Sequence, residues 1–233
     1  ILDKTKFHVN CFNFVCFWWE FPPLKASPAG RNKMTKTQRH KINVVLDLDQ
    51  TLISAESSDD YDFKGNMTKA KKFEFHDMDG YYVVFERPGL QEFLDYLFSN
   101  FNVSIWTAAS KDYALYIIDN IIIQDKSNRK LDWIFFSYHC DISKRKKQAA
   151  KSLEMFWDEY KLQGYSKKDT IIVDDHPEVY DTQPDNCVKA EIFEFTHDNS
   201  EKDDYLSRLQ KVLSNAKCGK PAVSINKQLN SSK

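Results

Sequence analysis

The stretch INVVLDLDQTLIS, residues 42–54, decides how the rest of the sequence is interpreted. It opens with a continuous, largely β-branched run, which is typical of a strand buried on both faces of a parallel sheet. Three short oxygen-bearing side chains then follow at alternate positions, namely Asp47, Asp49 and Thr51. A turn needs at most one such residue, so the pattern indicates a functional site at the end of the strand.

Strand and helix patterns alternate along the chain after this stretch. Apolar runs predict strands at NVSIWT, LDWIFFS, TIIVDD and NCVKAEIF, and helically spaced apolar residues predict helices between them, as in RPGLQEFLDYLFSN. Ser110 is placed to cap one helix, and Ser200 with Asp203 forms a capping-box pattern for another. The alternation predicts an α/β fold, with a Rossmann-like parallel sheet and helices on both faces.

One segment departs from this alternation. KKFEFHDMDGYYVVFE alternates around Asp79-Gly80, which predicts a β-hairpin, whereas SAESSDDYDFKGN before it is polar and predicts a loop. We therefore expect a small hairpin to be inserted between the first strand and the helix that follows.

Polar residues end three of the predicted strands. Asp47 and Asp49 follow the first, Thr107 follows the second, and Asp174 with Asp175 ends a later one. A single Asp-x-Asp after a strand is usually a turn, and each of the other groups alone would be a loop start or a cap. Parallel sheets, however, bind ligands beyond the carboxyl ends of their strands, so the three groups together predict one site at that edge.

The predicted site has a specific chemistry. Two carboxylates 4 Å apart repel by about 4 kcal/mol at an effective dielectric of 20, so either a cation lies among them or some are protonated. An all-oxygen donor set without histidine or cysteine favours Mg²⁺. Such a site suits phosphoryl transfer, in which one aspartate attacks phosphorus, another moves the proton, and Thr107 and a lysine bind the phosphoryl oxygens.

These motifs resemble those of haloacid-dehalogenase-type phosphatases. DLDQTL is similar to their Asp-x-Asp-x-Thr signature, and Gln50 within it is typical of the branch that acts on the RNA polymerase II C-terminal domain, with its small-phosphatase and NLI-interacting-factor-like relatives. ERPGLQEFL, IWTAASKDYA, IIVDDHPEVY and PDNCVKA resemble further motifs of that branch. The resemblance extends over about residues 41–213 and implies that the inserted hairpin is a flap over the site.

The resemblance also implies roles for the site residues. Asp47 would be the nucleophile and a magnesium ligand, and Asp49 the general acid and base whose backbone carbonyl reaches the metal. Thr107 would bind the phosphoryl group. Asp175 would bind Mg²⁺, and Asp174 would orient the lysine.

The lysine itself is less clear from the sequence. Lys151 is the best match to the family's lysine, with Lys144, Lys146 and Lys147 as rivals. Relatives usually place a substrate-binding arginine near the position of Ser137, and its absence leaves the substrate class open.

Composition sets the remaining expectations. Lys and Arg number 33 against 34 Asp and Glu, a net charge of −1, so no basic stripe for direct nucleic-acid binding is expected. The five cysteines have no metal-ligand spacing, which favours free thiols in a reducing compartment, cytoplasmic or nuclear. The apolar run at residues 12–21 is about half as long as a membrane span, so no membrane association is expected.

The domain organisation follows from the same patterns. We expect a disordered leader or linker over residues 1–40, a haloacid-dehalogenase-type domain over 41–215 with its flap at about 54–86, and a flexible tail over 216–233. Met34 is a candidate start of translation, and residues 1–33 are otherwise an unstructured extension.

The functional prediction is a monomeric, Mg²⁺-dependent phosphatase that forms an aspartyl-phosphate and acts on phosphoserine or phosphothreonine in a phosphoprotein or phosphopeptide. Two alternatives remain open. One is a nucleic-acid end or small-molecule phosphatase with the same chemistry, and the other is a phosphopeptide-binding module without activity.

Overall fold

The computed structural model describes residues 23–25, 41–58, 65–215 and 222–232, and these form two β-sheets surrounded by helices. The strands are β1 (Leu24–Lys25), β2 (Asn43–Leu46), β3 (Ile53–Ser57), β4 (Phe75–Met78), β5 (Tyr82–Glu86), β6 (Asn102–Trp106), β7 (Leu131–Phe135), β8 (Thr170–Asp174) and β9 (Cys187–Lys189). The helices are α1 (Met67–Ala70), α2 (Leu90–Asn100), α3 (Lys111–Ile117), α4 (Ser137–Lys147), α5 (Pro177–Thr182), α6 (Tyr205–Ser214) and α7 (Ala222–Asn230). Two π-helical segments (Ile118–Ile123 and Met155–Glu159) and a 3-10 turn (Ser200–Lys202) complete them.

The larger sheet has six strands in the order β1-β7-β6-β2-β8-β9, and all except β1 run parallel. β2 lies at its centre, where Leu46 is level with Ile105 of β6 and with Val173 of β8. Because the three strands end at the same height, the polar residues that follow them emerge together at one edge. This arrangement confirms the predicted parallel α/β fold.

Helices cover both faces of the larger sheet, as the sequence predicted. Val44 and Leu46 of β2 pack in a core formed with α2, α3, α6 and α7. Val45, which points the other way, packs in a second core with α4, α5 and the π-helical segment Met155–Glu159. Successive side chains of β2 therefore point into two separate cores, one on each face of the sheet.

The inserted segment forms a three-stranded antiparallel sheet in the order β3-β5-β4. The hairpin β4–β5 turns at Asp79 and Gly80, both with positive φ, as predicted. The segment assigned to a loop at Ser54 instead begins with strand β3, in which Ile53 and Ser54 are buried and pair with the end of β5. The strand was missed because its last two residues, Glu56 and Ser57, are polar and only half-buried.

Secondary structure is present in both terminal segments where the structure describes them. In the expected flexible tail, α7 buries Ala222, Ile225 and Leu229. The side-chain amide of Asn226 also binds the outer edge of β9, accepting from Lys189 N at 3.0 Å and donating to Cys187 O at 2.9 Å. In the expected leader, β1 pairs with β7, while Met34 lies outside the described residues.

The described α-helices reach at most 11 residues, and no described helix has the length and hydropathy of a membrane span.

Arg87 links the flap sheet to the larger sheet. Its buried guanidinium donates two hydrogen bonds of 2.8 Å to Asp203 and one each to the carbonyls of Thr51 (2.9 Å) and Glu191 (2.7 Å). It also lies over the ring of Tyr205, 4.5 Å from the centroid. The capping box predicted at Asp203 is therefore replaced by this ion pair.

Replacing Arg87 by Leu should lower the free energy of unfolding by roughly 3–5 kcal/mol, because the carboxylate of Asp203 loses its cation and the carbonyls of Thr51 and Glu191 lose their guanidinium donor. The matched control is Arg145→Leu, at an exposed position on α4, which should change stability by less than about 0.5 kcal/mol. Urea unfolding followed by circular dichroism measures both. A loss below about 1 kcal/mol for Arg87→Leu would mean that this link is dispensable.

Candidate active site

The site lies at the carboxyl edge of the larger sheet, where β2, β6 and β8 end. Asp47 follows β2, and its backbone amide donates to Val173 O at 3.0 Å. Thr107 follows β6, and its backbone amide donates to Phe135 O at 3.0 Å. Asp174 ends β8 and Asp175 comes next. The backbone pairing of the sheet therefore fixes where each of these side chains begins.

Lys151 occupies the centre of the acidic group. Its Nζ is 2.7 Å from Asp47 Oδ1 and 2.7 Å from Asp174 Oδ2, and the side chain is buried. Two of its rivals pair elsewhere, Lys146 with Glu159 and Lys147 with Asp158, and the third, Lys144, is an exposed residue of α4. The structure thus places Lys151, and none of the other candidates, between the carboxylates.

Three carboxylates face one another around this lysine. Oxygen atoms of Asp47, Asp174 and Asp175 all lie within 4.8 Å of one another. Asp174 uses both oxygens, one for Lys151 and one to accept from the backbone N–H of His176 at 2.9 Å. Asp175 Oδ1 accepts from the hydroxyl of Thr51 at 3.1 Å, so Thr51 orients this carboxylate.

Burial dominates the electrostatics of the cluster. It raises the pKa of Asp47 from 3.8 to about 8; Lys151 opposes this shift, and the carboxylates of Asp174 and Asp175 add to it. Burial by itself would lower the pKa of Lys151, but the neighbouring Asp47 and Asp174 raise that pKa well above its ordinary value. One ammonium does not offset all the negative charge. An all-oxygen group of this kind fits a hard divalent cation.

Asp49 is held from the side by a residue that the sequence analysis missed. The hydroxyl of Tyr113 on α3 donates a hydrogen bond to Asp49 Oδ1 at 2.5 Å. The rings of Tyr113 and of Tyr82 in the flap form an edge-to-face pair whose centroids are 5.6 Å apart. Burial raises the pKa of Asp49, and the hydrogen bond from Tyr113 opposes that shift. Ser110 caps α3 as predicted, so the start of this helix is fixed close to Thr107.

A cavity of about 250 Å³ opens over these groups. Five of the six predicted site residues line it; the sixth, Asp174, lies beneath, bound to Lys151. Thr107 is buried in the cavity wall and accepts a hydrogen bond from Ala109 N at 3.0 Å, which leaves its hydroxyl hydrogen available to a ligand. The structure therefore brings every predicted site residue to one place.

Comparison with known proteins identifies the relatives of this chain. Residues 42–224 match the family model described as NLI interacting factor-like phosphatase. The CTD phosphatase-like protein 355R of Invertebrate iridescent virus 6 is 47% identical over 175 residues, covering 73% of this chain and 96% of the viral protein. The corresponding protein of Invertebrate iridescent virus 3 is 41% identical over 176 residues, covering 73% and 94%.

Among solved structures, a variant of the fission yeast RNA polymerase II CTD phosphatase Fcp1, bound to beryllium fluoride, aligns with a TM-score of 0.48 and 19% identity, covering 82% of this chain and 62% of that one. The family model spans most of the chain, and the two viral proteins align over nearly their whole length. The chain therefore belongs to the NLI interacting factor-like phosphatase family.

Proposed function

We propose that this chain hydrolyses phosphoserine or phosphothreonine in a protein substrate through an aspartyl-phosphate on Asp47. The observation that carries the proposal is the Asp47–Lys151–Asp174 arrangement, with Asp49 beside it in the same cavity. Lys151 binds one oxygen of Asp47. Within the described part of the chain, the other oxygen accepts no hydrogen bond and is available to attack phosphorus.

Asp47 and Asp49 divide the two halves of the reaction between them. Asp47 forms a bond to phosphorus while the bond from phosphorus to the seryl oxygen breaks, and protonated Asp49 gives its proton to the departing oxygen. In the second half Asp49 takes a proton from water, whose oxygen attacks phosphorus and restores Asp47. Asp49 suits both steps because burial raises its pKa and Tyr113 fixes its orientation.

The remaining residues bind the transferring group. Lys151 and the hydroxyl of Thr107 face the place where the phosphoryl oxygens would lie. The side chains of Asp47 and Asp175, with the backbone carbonyl of Asp49, would hold Mg²⁺, which when bound neutralises phosphoryl charge and orients the group for in-line attack.

The flap supports a peptide as the substrate. It exposes Phe75, Tyr81 and Tyr82, and the last of these contacts Tyr113 at the edge of the site. An extended chain crossing this aromatic surface would bring a phosphorylated side chain to the cavity. The viral relatives are named as CTD phosphatase-like proteins, which is consistent with a phosphorylated protein tail as the substrate.

Asp47→Asn and Asp49→Asn should each reduce phosphatase activity, because they remove the nucleophile and the proton carrier respectively. We expect kcat to fall by roughly 10²–10⁴-fold for Asp49→Asn and at least as far for Asp47→Asn. Hydrolysis of para-nitrophenyl phosphate with Mg²⁺ measures both, with Asp77→Asn on the flap as the control. On this substrate the loss in Asp49→Asn comes from the second half of the reaction, in which Asp49 takes a proton from water. Turnover that persists in Asp47→Asn would rule out this nucleophile.

Removal of divalent metal should abolish turnover, and added Mg²⁺ should restore it. Mg²⁺ at 100 times its dissociation constant should stabilise the wild type by about 2.7 kcal/mol in thermal unfolding. Asp175→Asn should lose most of this stabilisation while remaining at least as stable as the wild type without metal, because one repelling carboxylate is gone. Equal stabilisation of both proteins by Mg²⁺ would place the metal elsewhere.

Tyr113→Phe keeps the ring packed against Tyr82 and removes only the hydrogen bond to Asp49. We expect kcat/KM to fall by about 10-fold for a phosphoserine peptide, the effect of losing one hydrogen bond to a charged group. The loss should be smaller for para-nitrophenyl phosphate, whose leaving group needs little protonation.

Tyr116→Phe is the matched control, since Tyr116 lies on the same helix and donates to Asp77 O at 2.9 Å, away from the cavity. Equal losses on both substrates would assign Tyr113 a structural role only.

A further inference from the structure

The charges that line the catalytic cavity are unbalanced. The carboxylates of Asp47, Asp49, Asp175 and Glu178 face it, whereas the described lysines that line it are Lys144 and Lys151. The Lys151 ammonium is already bound at 2.7 Å to two carboxylates. Even with Mg²⁺ bound at Asp47 and Asp175, the two negative charges of an entering phosphate group would leave the site net negative, so a further cation at the cavity would favour its binding.

Lys144 is the lysine at the cavity that has no ion-pair partner among the described residues. It lies in the basic run of α4, where Lys146 pairs with Glu159 and Lys147 with Asp158 and Glu154. The Lys144 ammonium, in contrast, makes no hydrogen bond or ion pair with any residue that the structure describes. Its charge is therefore available to a ligand.

The helix geometry directs Lys144 toward the cavity. Residues four apart lie on the same face of a helix, and the residue four positions before Lys144 is Cys140. Cys140 lines the cavity wall, where its thiol contacts the carbonyl of Thr107 at 3.7 Å. Lys144 lies one turn further along α4, at the mouth of the cavity, and is exposed to solvent.

His176 also lines the cavity, but its Nδ1 accepts a hydrogen bond from Glu178 N at 3.3 Å and so caps α5.

We propose that Lys144 binds the phosphate group of the substrate at the mouth of the cavity, pairing with non-bridging oxygens of the phosphorus that is attacked. The proposal rests on the proposed function, since it concerns the same phosphate. Lys144 draws the dianion past the carboxylates at the rim, and Lys151 with Thr107 receives it deeper in the cavity. A flexible ammonium on an exposed turn suits this role because it can follow the phosphate inward.

The test compares Lys144→Ala, Lys144→Glu and Lys144→Arg with Arg145→Ala, an exposed neighbour on α4 whose Nε donates to Asp141 O at 3.4 Å. With para-nitrophenyl phosphate as substrate, Lys144→Ala should raise KM by roughly 5-fold and change kcat less, as expected for the loss of one solvent-exposed ion pair. Lys144→Glu should raise KM further, Lys144→Arg should recover most of the loss, and Arg145→Ala should match the wild type. This substrate has one phosphate and no peptide, so a peptide contact cannot produce the pattern.

Inorganic phosphate binding gives a readout that does not need turnover. In calorimetric titrations with Mg²⁺ present, the dissociation constant of phosphate should rise in Lys144→Ala by the same factor as KM. Normal turnover in all variants, or equal losses in Lys144→Ala and Arg145→Ala, would overturn the role of Lys144 and leave the proposed function standing. Phosphate binding that depends on Lys144 in a protein without turnover would support the binding role and overturn the phosphatase proposal.

Discussion

The structure depends on one constraint, which is that three carboxylates must emerge side by side from a parallel sheet. The register of β2 between β6 and β8 fixes where Asp47 and Asp174 begin, so their separation is not free to relax. Like charges at such distances repel by several kcal/mol at the effective dielectric of a protein. The buried ammonium of Lys151 offsets part of this repulsion, and the cavity is built around that ion group.

A second buried cation, Arg87, connects the site to the flap. Arg87 binds the carbonyl of Thr51, and the hydroxyl of the same Thr51 binds Asp175. One residue of the signature turn therefore joins two networks, one that holds the flap sheet and one that orients a candidate metal ligand. Because Arg87 also binds Asp203 before α6, the position of Asp175 is linked to elements on both sides of the site.

The sequence predicts the parts of this arrangement that local patterns encode. Apolar periodicity located α2 and the buried strands, polar strand ends located five of the six site residues in one region, and Lys151 came from the family resemblance. The features that it missed depend on partners distant in sequence. β3 becomes a strand because β5 pairs with it, and Asn226 fixes α7 to the edge of β9. Tyr113 contacts Asp49 only once α3 has packed against the sheet. The choice among four lysines also needed distances, since a long side chain reaches many places.

Burial and the neighbouring carboxylates raise the pKa of Asp47, so the charged cluster costs the folded state free energy. A carboxyl group whose pKa rises from 3.8 to about 8 on folding binds more protons in the folded state, so its contribution to stability falls as the pH rises through that range. At neutral pH most of this contribution is already lost, and the cluster remains an unfavourable environment for the charged form of Asp47. A cation bound by Asp47 and Asp175 would offset this unfavourable charge and would also keep Asp47 in the charged form that can attack phosphorus. The same unfavourable charge that weakens the fold would thus favour the binding of a cation.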